Sequence, residues 1–387
     1  MGEAAAQALD PVPDLAMFQA TEQTRTYPCR QCGDQLVFDI ALQKLACPSC
    51  GYCLEVDTSK LQAPTEHDFA STMQAFHALV QTVQPPQIEG QKEIVCQNCG
   101  GHTTFTGSLT AQRCPYCATP IQRDDVHDAP ARLPVDGVLP FQVDPKRAKE
   151  AIEKWINSRW FAPTEFKKYN EQGSFTSIYA AYFTYDAETT TRYEGQRGDH
   201  YTVTVGSGDD QHTETRTAWS HTSGVVGNSF DDIAVLANDG FDHKRVTALE
   251  PWPTQQARPF SPEFVAGHLC RTYDRDAEAT LPEAQAVMNT QIDTTIRRDI
   301  GGDEQRIDRK DTRYDSLGFK HLLLPIWLLT VVYAGKPFQV FINGVTGEVQ
   351  GQRPWSKVKI GVAVAAGLIL LIVLIVLFAG GKSSGST

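Results

Sequence analysis

The chain has 387 residues, enough for two or three domains, and its 41% hydrophobic and 21% charged composition excludes an intrinsically disordered polymer. Thirty-five basic residues against 46 acidic ones leave a formal net charge of -11, which argues against broad attraction to nucleic acid or anionic lipid headgroups. Ten cysteines imply disulfides in an oxidising compartment and metal ligation in a reducing one.

Residues 1–26 carry Ala, Pro and acidic side chains without a period, as expected of a mobile leader. The opening MGEAAAQALDPVPDLAMF has neither a basic n-region nor an apolar h-region, so no export signal is expected and the thiols should stay reduced. The stretch CRQCGDQLVFDIALQKLACPSC then places Cys29 and Cys32 14 residues ahead of Cys47 and Cys50. A second copy, CQNCGGHTTFTGSLTAQRCPYC, places Cys96, Cys99, Cys114 and Cys117 with the same gap. Gly33 matches Gly100, Phe38 matches Phe105, Leu42 matches Leu109 and Pro48 matches Pro115, so the module is duplicated at an offset of 67 residues.

Four thiolates that converge tetrahedrally, about 2.3 Å from one ion, are the donor set of a structural zinc site, with no position left open for water. The gap is long enough for a hairpin that returns the second pair to the first, and metal binding supplies the folding energy that so small a core cannot. Two zinc ribbons, over 27–60 and 91–123, and two structural Zn2+ ions are therefore expected. Iron held as in rubredoxin is the competing reading of the same spacing. Cys53 lies outside the duplicated frame and reads as a spare or packing thiol, while His67 and His102 read as surface histidines.

Between the ribbons, 61–90 reads as a helical connector, with Thr65 and Asp68 as a capping pair ahead of Phe69, Met73, Phe76, Val80 and Val83 at helical spacing. An Asp- and Pro-rich linker over 124–140 leads to a larger domain over 141–355. There Asp144 and Pro145 open the helix PKRAKEAIEKWINSRWF. Strands are predicted at IYAAYFTYDA, HYTVTV, TETRTAW and GVVGNSF. Helices are expected to open at Ser261–Pro262 and at Pro282, the second ending at Gly301 and Gly302. LLLPIWLLTVVYA reads as a buried strand, and Asn343–Gly344 as a hairpin turn between PFQVFI and VTGEVQ.

Ile360 to Ala379 carries no charge, and 20 helical residues reach about 30 Å, so a membrane-spanning helix is predicted over 358–380 with a short tail over 381–387. Arg353, Lys357 and Lys359 before it, against Lys382 after it, predict a single-pass protein of the cell (inner) membrane with its bulk in the cytoplasm. The predicted fold class is thus α+β: two tandem zinc ribbons, a larger mixed α+β domain and one C-terminal transmembrane helix.

The ribbon pairs, together with YFTYDA (182–187), Tyr193 and Gly195, FDDI (230–233), DIGGDEQ (299–305), LPIWL (324–328) and NGVTG (343–347), resemble a family of bacterial membrane-anchored zinc-ribbon proteins. Its members are labelled transcription-factor-IIB-type zinc-ribbon proteins or primosomal protein N' helicase-like. Ala181 departs from the Pro expected before the aromatic pair. The resemblance implies zinc binding, a membrane location and partners among SPFH/band-7 (virion-core-like) or phage-shock-protein-A-like proteins of the envelope stress response. It implies no catalytic residues.

The functional expectation is a zinc-binding adaptor or scaffold, tethered at the membrane and possessing no enzymatic activity. A nucleic-acid-binding ribbon protein is the alternative, although no G-x-x-x-x-G-K-[ST] loop supports ATP-driven unwinding and the ribbons carry balanced charge. Asp199, His200, His221, Asp242, His243 and His268 are available acid-base groups without a nucleophile at recognisable spacing. Cys270 reads as a buried thiol. The pairs Asp231–Asp232 and Asp303–Glu304 read as solvated or capping positions.

Overall fold

The computed structural model describes residues 27–59, 61, 63–82, 91–95, 102–113, 120–122, 132–160, 162–163, 174–207, 211–333 and 336–380. The expected leader, residues 124–131 of the expected linker and the tail lie outside them.

Three short strands, β1 (Val37–Asp39), β2 (Lys44–Ala46) and β3 (Cys53–Leu54), form a sheet of their own in sequence order. β4 (His67–Asp68) precedes the helix Phe69–Thr82, whose first turn is capped by Asp68 accepting from the Ser71 N–H at 2.9 Å. β5 (Gln91–Val95) and β6 (His102–Thr106) pair with each other. β7 (Leu109–Arg113), β8 (Pro120–Gln122) and β9 (Gly137–Val138) belong to the large sheet. The helix Pro145–Asn157 opens as expected, with Asp144 accepting from the N–H groups of Lys146 and Arg147.

Two very long strands follow, β10 (Ser174–Val205) and β11 (His212–Leu236). After β12 (Arg258–Pro259) and β13 (Leu269–Arg271) come the helix Ala277–Ile300 and a third long strand, β14 (Glu304–Tyr333). β15 (Lys336–Asn343) turns back through Asn343, whose side-chain oxygen accepts from the N–H groups of Val345 and Thr346, into β16 (Val349–Gly351). The large sheet has 11 strands, with β10 between β11 and β14, both antiparallel to it.

The α+β expectation is corrected here, because the molecule is mainly sheet. IYAAYFTYDA and HYTVTV are one unbroken strand, as are TETRTAW and GVVGNSF, since the Thr, Ser and Gly between them sit on a sheet of which one face is open to solvent. Bulges between Tyr185 and Ala187, between Glu188 and Thr189 and between Glu194 and Gly195 absorb irregularity without ending β10.

The helix Ala277–Ile300 covers the other face of this three-stranded ribbon. Ala284, Met288, Ile292, Ile296 and Ile300 recur every four residues and are all buried. Polar contacts continue the seam: Asn228 to Thr295 at 2.8 Å, Lys310 to Asp293 at 2.5 Å and Tyr193 to Asp299 at 2.5 Å. The helix starts at Ala277 under an Asp276 cap, not at Pro282, which lies inside it. Ser261–Pro262 opens only a four-residue 3-10 turn, Pro262–Val265.

The membrane-spanning expectation is also corrected. The C-terminal helix runs Lys357–Gly380. Among the described residues no helix is long and apolar enough to cross a membrane. The transmembrane anchor and the single-pass inner-membrane location that rested on it fall with this finding.

Close approach of helix and ribbon is written at Gly195, where an added Cβ would lie 2.3 Å from the Arg306 carbonyl oxygen and 3.1 Å from Ile300. At Gly227 the nearest atom is 3.8 Å away. In urea unfolding, Gly195→Ala should cost about 1–3 kcal/mol, the usual penalty of overpacking, while Gly227→Ala should leave the midpoint nearly unchanged.

Candidate metal centre

Each half of the first module is a C-x-x-C-G turn, and the two halves are built alike. The Gly33 N–H donates to the Cys29 carbonyl and the Gly51 N–H to the Cys47 carbonyl, both at 2.9 Å. Gly33 and Gly51 have φ of 79° and 76°, the left-handed region that closes such a turn, and an added Cβ would meet no atom within 4 Å. Glycine is therefore required by the backbone dihedral rather than by crowding. The β1–β2 hairpin, with Phe38 opposite Leu45, brings the second turn back to the first.

The four sulfurs converge. Cys29 Sγ lies 3.6 Å from Cys50 Sγ, Cys32 Sγ lies 3.5 Å from Cys47 Sγ, and all four fall within 4.8 Å of one another. A metal bound by four sulfurs at about 2.3 Å would separate them by about 3.8 Å, so this spacing is that of a tetrahedral ligand cage. Cys29 and Cys47 are buried while Cys32 and Cys50 face outward.

Crowding splits the thiol acidities. Burial pushes Cys29 up, but the Gln31 and Cys32 N–H groups and the Cys50 thiol outweigh it and bring it down to about 7. Cys50, though the Tyr52 N–H favours its anion, is pushed up to about 12 by burial and by the neighbouring thiols Cys32, Cys29 and Cys47. One thiolate thus forms easily at Cys29 while Cys32 and Cys50 resist, which is the electrostatic state a divalent ion relieves. These residues could hold a metal ion.

Asp34, adjacent to the first turn, accepts from the Ser49 hydroxyl and the Gln35 N–H, tying the two halves together outside the sulfurs. The module is also fixed to the body of the molecule, through the Pro262–Val265 turn and the segment at Phe141. The Phe38 N–H donates to the Ala266 carbonyl at 2.9 Å, and the Phe38 ring meets Phe264 edge-on at 5.4 Å. Gln43 donates to the Phe141 carbonyl at 2.7 Å. Cys29, Leu36, Phe38, Leu45 and Cys47 share one core cluster with Phe141, Tyr179 and Trp327.

Comparison with known proteins supplies one similar chain. It is "Uncharacterized protein YdjG" of Bacillus subtilis, 25% identical over 362 residues, which cover 92% of this chain and 98% of that protein. No protein-family model and no solved structure matches.

Cys96, Cys99, Cys114 and Cys117 of the second module lie outside the described residues, although β7 from that module joins β13 in the large sheet. Cys53 is exposed, with its thiol 3.4 Å from the Gly51 carbonyl, and Cys270 is buried. His67 bonds Asp136 at 2.6 Å, away from the sulfurs.

Sequence reasoning missed a second cluster. The bulge at Asp186 turns its carboxylate toward Asp231 and Asp232, and the Lys320 ammonium pairs with Asp232 at 2.8 Å, Glu66 at 3.4 Å and Asp186 at 3.5 Å. Burial and a shared hydrogen bond with Glu66 push the Asp186 carboxyl up to about 7. The available signal was an Asp inside the apolar run IYAAYFTYDA.

The acid-base candidates of the sequence stay apart in function. His200 bonds Glu304 at 2.8 Å, but Glu304 also accepts from the Thr217 hydroxyl, so the carboxylate stands between base and hydroxyl. His243 bonds the Asn238 carbonyl, and Asp242 caps the helix His243–Thr247. His268 is buried between Phe38, Phe141 and Tyr179 and bonds Ser177 at 2.7 Å.

Burial lowers both His268 and His321 to about 4. Each must enter the fold neutral, so the unfolded chain takes up a proton first, near pH 6.5, and stability is lost as the pH falls from about 6.5 toward 4. For His321 the loss should reach about 3 kcal/mol, one pKa unit being about 1.4 kcal/mol. In His321→Asn, urea midpoints measured from pH 7 to pH 4 should fall less steeply than in the wild type.

Proposed function

We propose that this chain is a non-catalytic, zinc-dependent adaptor whose Cys29, Cys32, Cys47 and Cys50 hold one structural Zn2+ ion, and whose Cys96, Cys99, Cys114 and Cys117 hold a second. The observation that carries the reading is the convergence of four thiols within 4.8 Å on two matched turns. An all-sulfur set favours zinc over the hard cations, and it leaves no open coordination position for substrate or water. The ion would act as a cross-link between the two turns, holding the hairpin whose Phe38 packs against the Pro262–Val265 turn.

An adaptor role fits a protein with a long, rigid sheet surface and acid-base side chains engaged in separate structural bonds. The resemblance seen in the sequence suggests SPFH/band-7-like or phage-shock-protein-A-like proteins as the partners to test first.

Elemental analysis of the purified full chain should give about two zinc ions per polypeptide, and Cys47→Ser should remove about one. A metal-free chain, or visible thiolate-to-iron absorption, overturns the zinc assignment. Capture of the same partners by Cys47→Ser as by the wild type overturns the adaptor role of the first module.

A further inference from the structure

A cavity of about 300 Å3 opens between the C-terminal end of β11, the segment from Thr247 to Gln255 and the helix Ala277–Ile300. Four carboxylates line it, Asp231, Asp232, Glu250 and Glu283, and among the described residues no Lys, Arg or His side chain does. Two other cavities mix the signs. Arg192 and Arg309 stand with Glu194 and Asp311 in one, and Arg297 and Lys310 with Asp293 and Asp308 in the other.

Two of the four carboxylates already have a cation. Asp232 pairs with Lys320 at 2.8 Å, and Glu283 pairs with Arg275. Asp231 and Glu250 have no cationic partner among the described residues. The Asp231 carboxylate lies within 4.8 Å of those of Asp186 and Asp232, so the single Lys320 ammonium is outnumbered there. Partial burial in the cavity wall raises the Glu250 carboxyl above its usual range, as expected of a charge that no partner offsets.

These features favour an organic cation over a metal ion. A hard dication needs several oxygens converging on one point. Three converge, from Asp186, Asp231 and Asp232, but the Lys320 ammonium already lies 2.8 Å from Asp232 and 3.5 Å from Asp186, and Glu250 is not among them. The lining also includes Ile233, Val235, Val287 and Trp252, a surface suited to methylene groups. Trp252 is 7% exposed and packs edge-on against Tyr182 at 5.8 Å, so this wall is preformed. The buried indole N–H of Trp252 and the Tyr182 hydroxyl meet no acceptor among the described residues, and unpaired polar groups in a wall mark it as incomplete without an occupant. At about 30 Å3 per water the cavity holds about ten water molecules, room for an amine of about six to eight non-hydrogen atoms.

We propose that this cavity binds an aliphatic diamine in its doubly charged form, with one ammonium on Asp231, the other on Glu250, and the methylene chain against Val287 and Trp252. The two carboxylates without cations set the charge of the ligand, and the apolar wall sets its body. This site is independent of the metal centre.

Isothermal titration of putrescine into the full chain at low ionic strength is the test. Binding should saturate at one site per chain by millimolar putrescine and weaken as salt screens the ion pairs. Butylamine, with the same chain and one charge, should bind at least threefold more weakly, and Mg2+ should not displace putrescine. Asp231→Asn and Glu250→Gln, each checked for folding by circular dichroism, should each weaken putrescine about threefold to fivefold. The double variant should bind putrescine no better than butylamine. Absence of saturation, equal affinity for the two amines in the wild type, displacement by Mg2+, or affinity unchanged in both single variants each overturns the proposal.

Discussion

Four sulfur atoms brought within 4.8 Å of one another are the constraint from which the N-terminal part of the structure follows. Thiolates at that distance repel, and thiols at that distance satisfy each other poorly, so the arrangement holds only where the turns enforce it or a cation neutralises it. Glycine at the fifth position of each turn lets the chain reverse sharply enough for both cysteines of a pair to aim inward. The hairpin between the turns is then positioned, and with it Phe38, the side chain that engages Phe264 in the 3-10 turn Pro262–Val265.

The four-sulfur cluster and the body are accordingly one packing problem. Cys29 and Cys47 belong to the same core cluster as aromatic residues from β10 and β14. Loss of the cage would free the hairpin and unseat Phe38 from a layer that also contains Phe141, Tyr179 and His268. Further along the chain a different logic applies. The three long strands lean on a single helix, and the helix approaches because Gly195 and Gly224 leave room for Ile300 and Tyr193.

Local chemistry was readable from the residues alone. Asp144–Pro145 announced a helix start, Asn343–Gly344 a tight turn, and the spacing of Cys29, Cys32, Cys47 and Cys50 a convergent cage, because each depends on neighbours within a few positions. Long-range consequences were not readable. The Thr-, Ser- and Gly-rich segments of β10 and β11 look like loops until their hydrogen-bond partners are known. The helix expected at Pro282 starts at Ala277 because the Asp276 carboxylate accepts from the Ala279 N–H. Lys320 lies far in sequence from Glu66, Asp186 and Asp232, and only the pairing of β14 with β4 and β10 brings the charges together. The apolar C-terminal run gave a correct helix but an incorrect inference about what that helix crosses.

X-ray absorption at the zinc edge of the purified full chain tests the central claim most directly. The account predicts four sulfur neighbours per zinc at about 2.3 Å and no nitrogen or oxygen shell. A first shell with nitrogen or oxygen, or fewer than four sulfurs, would contradict it.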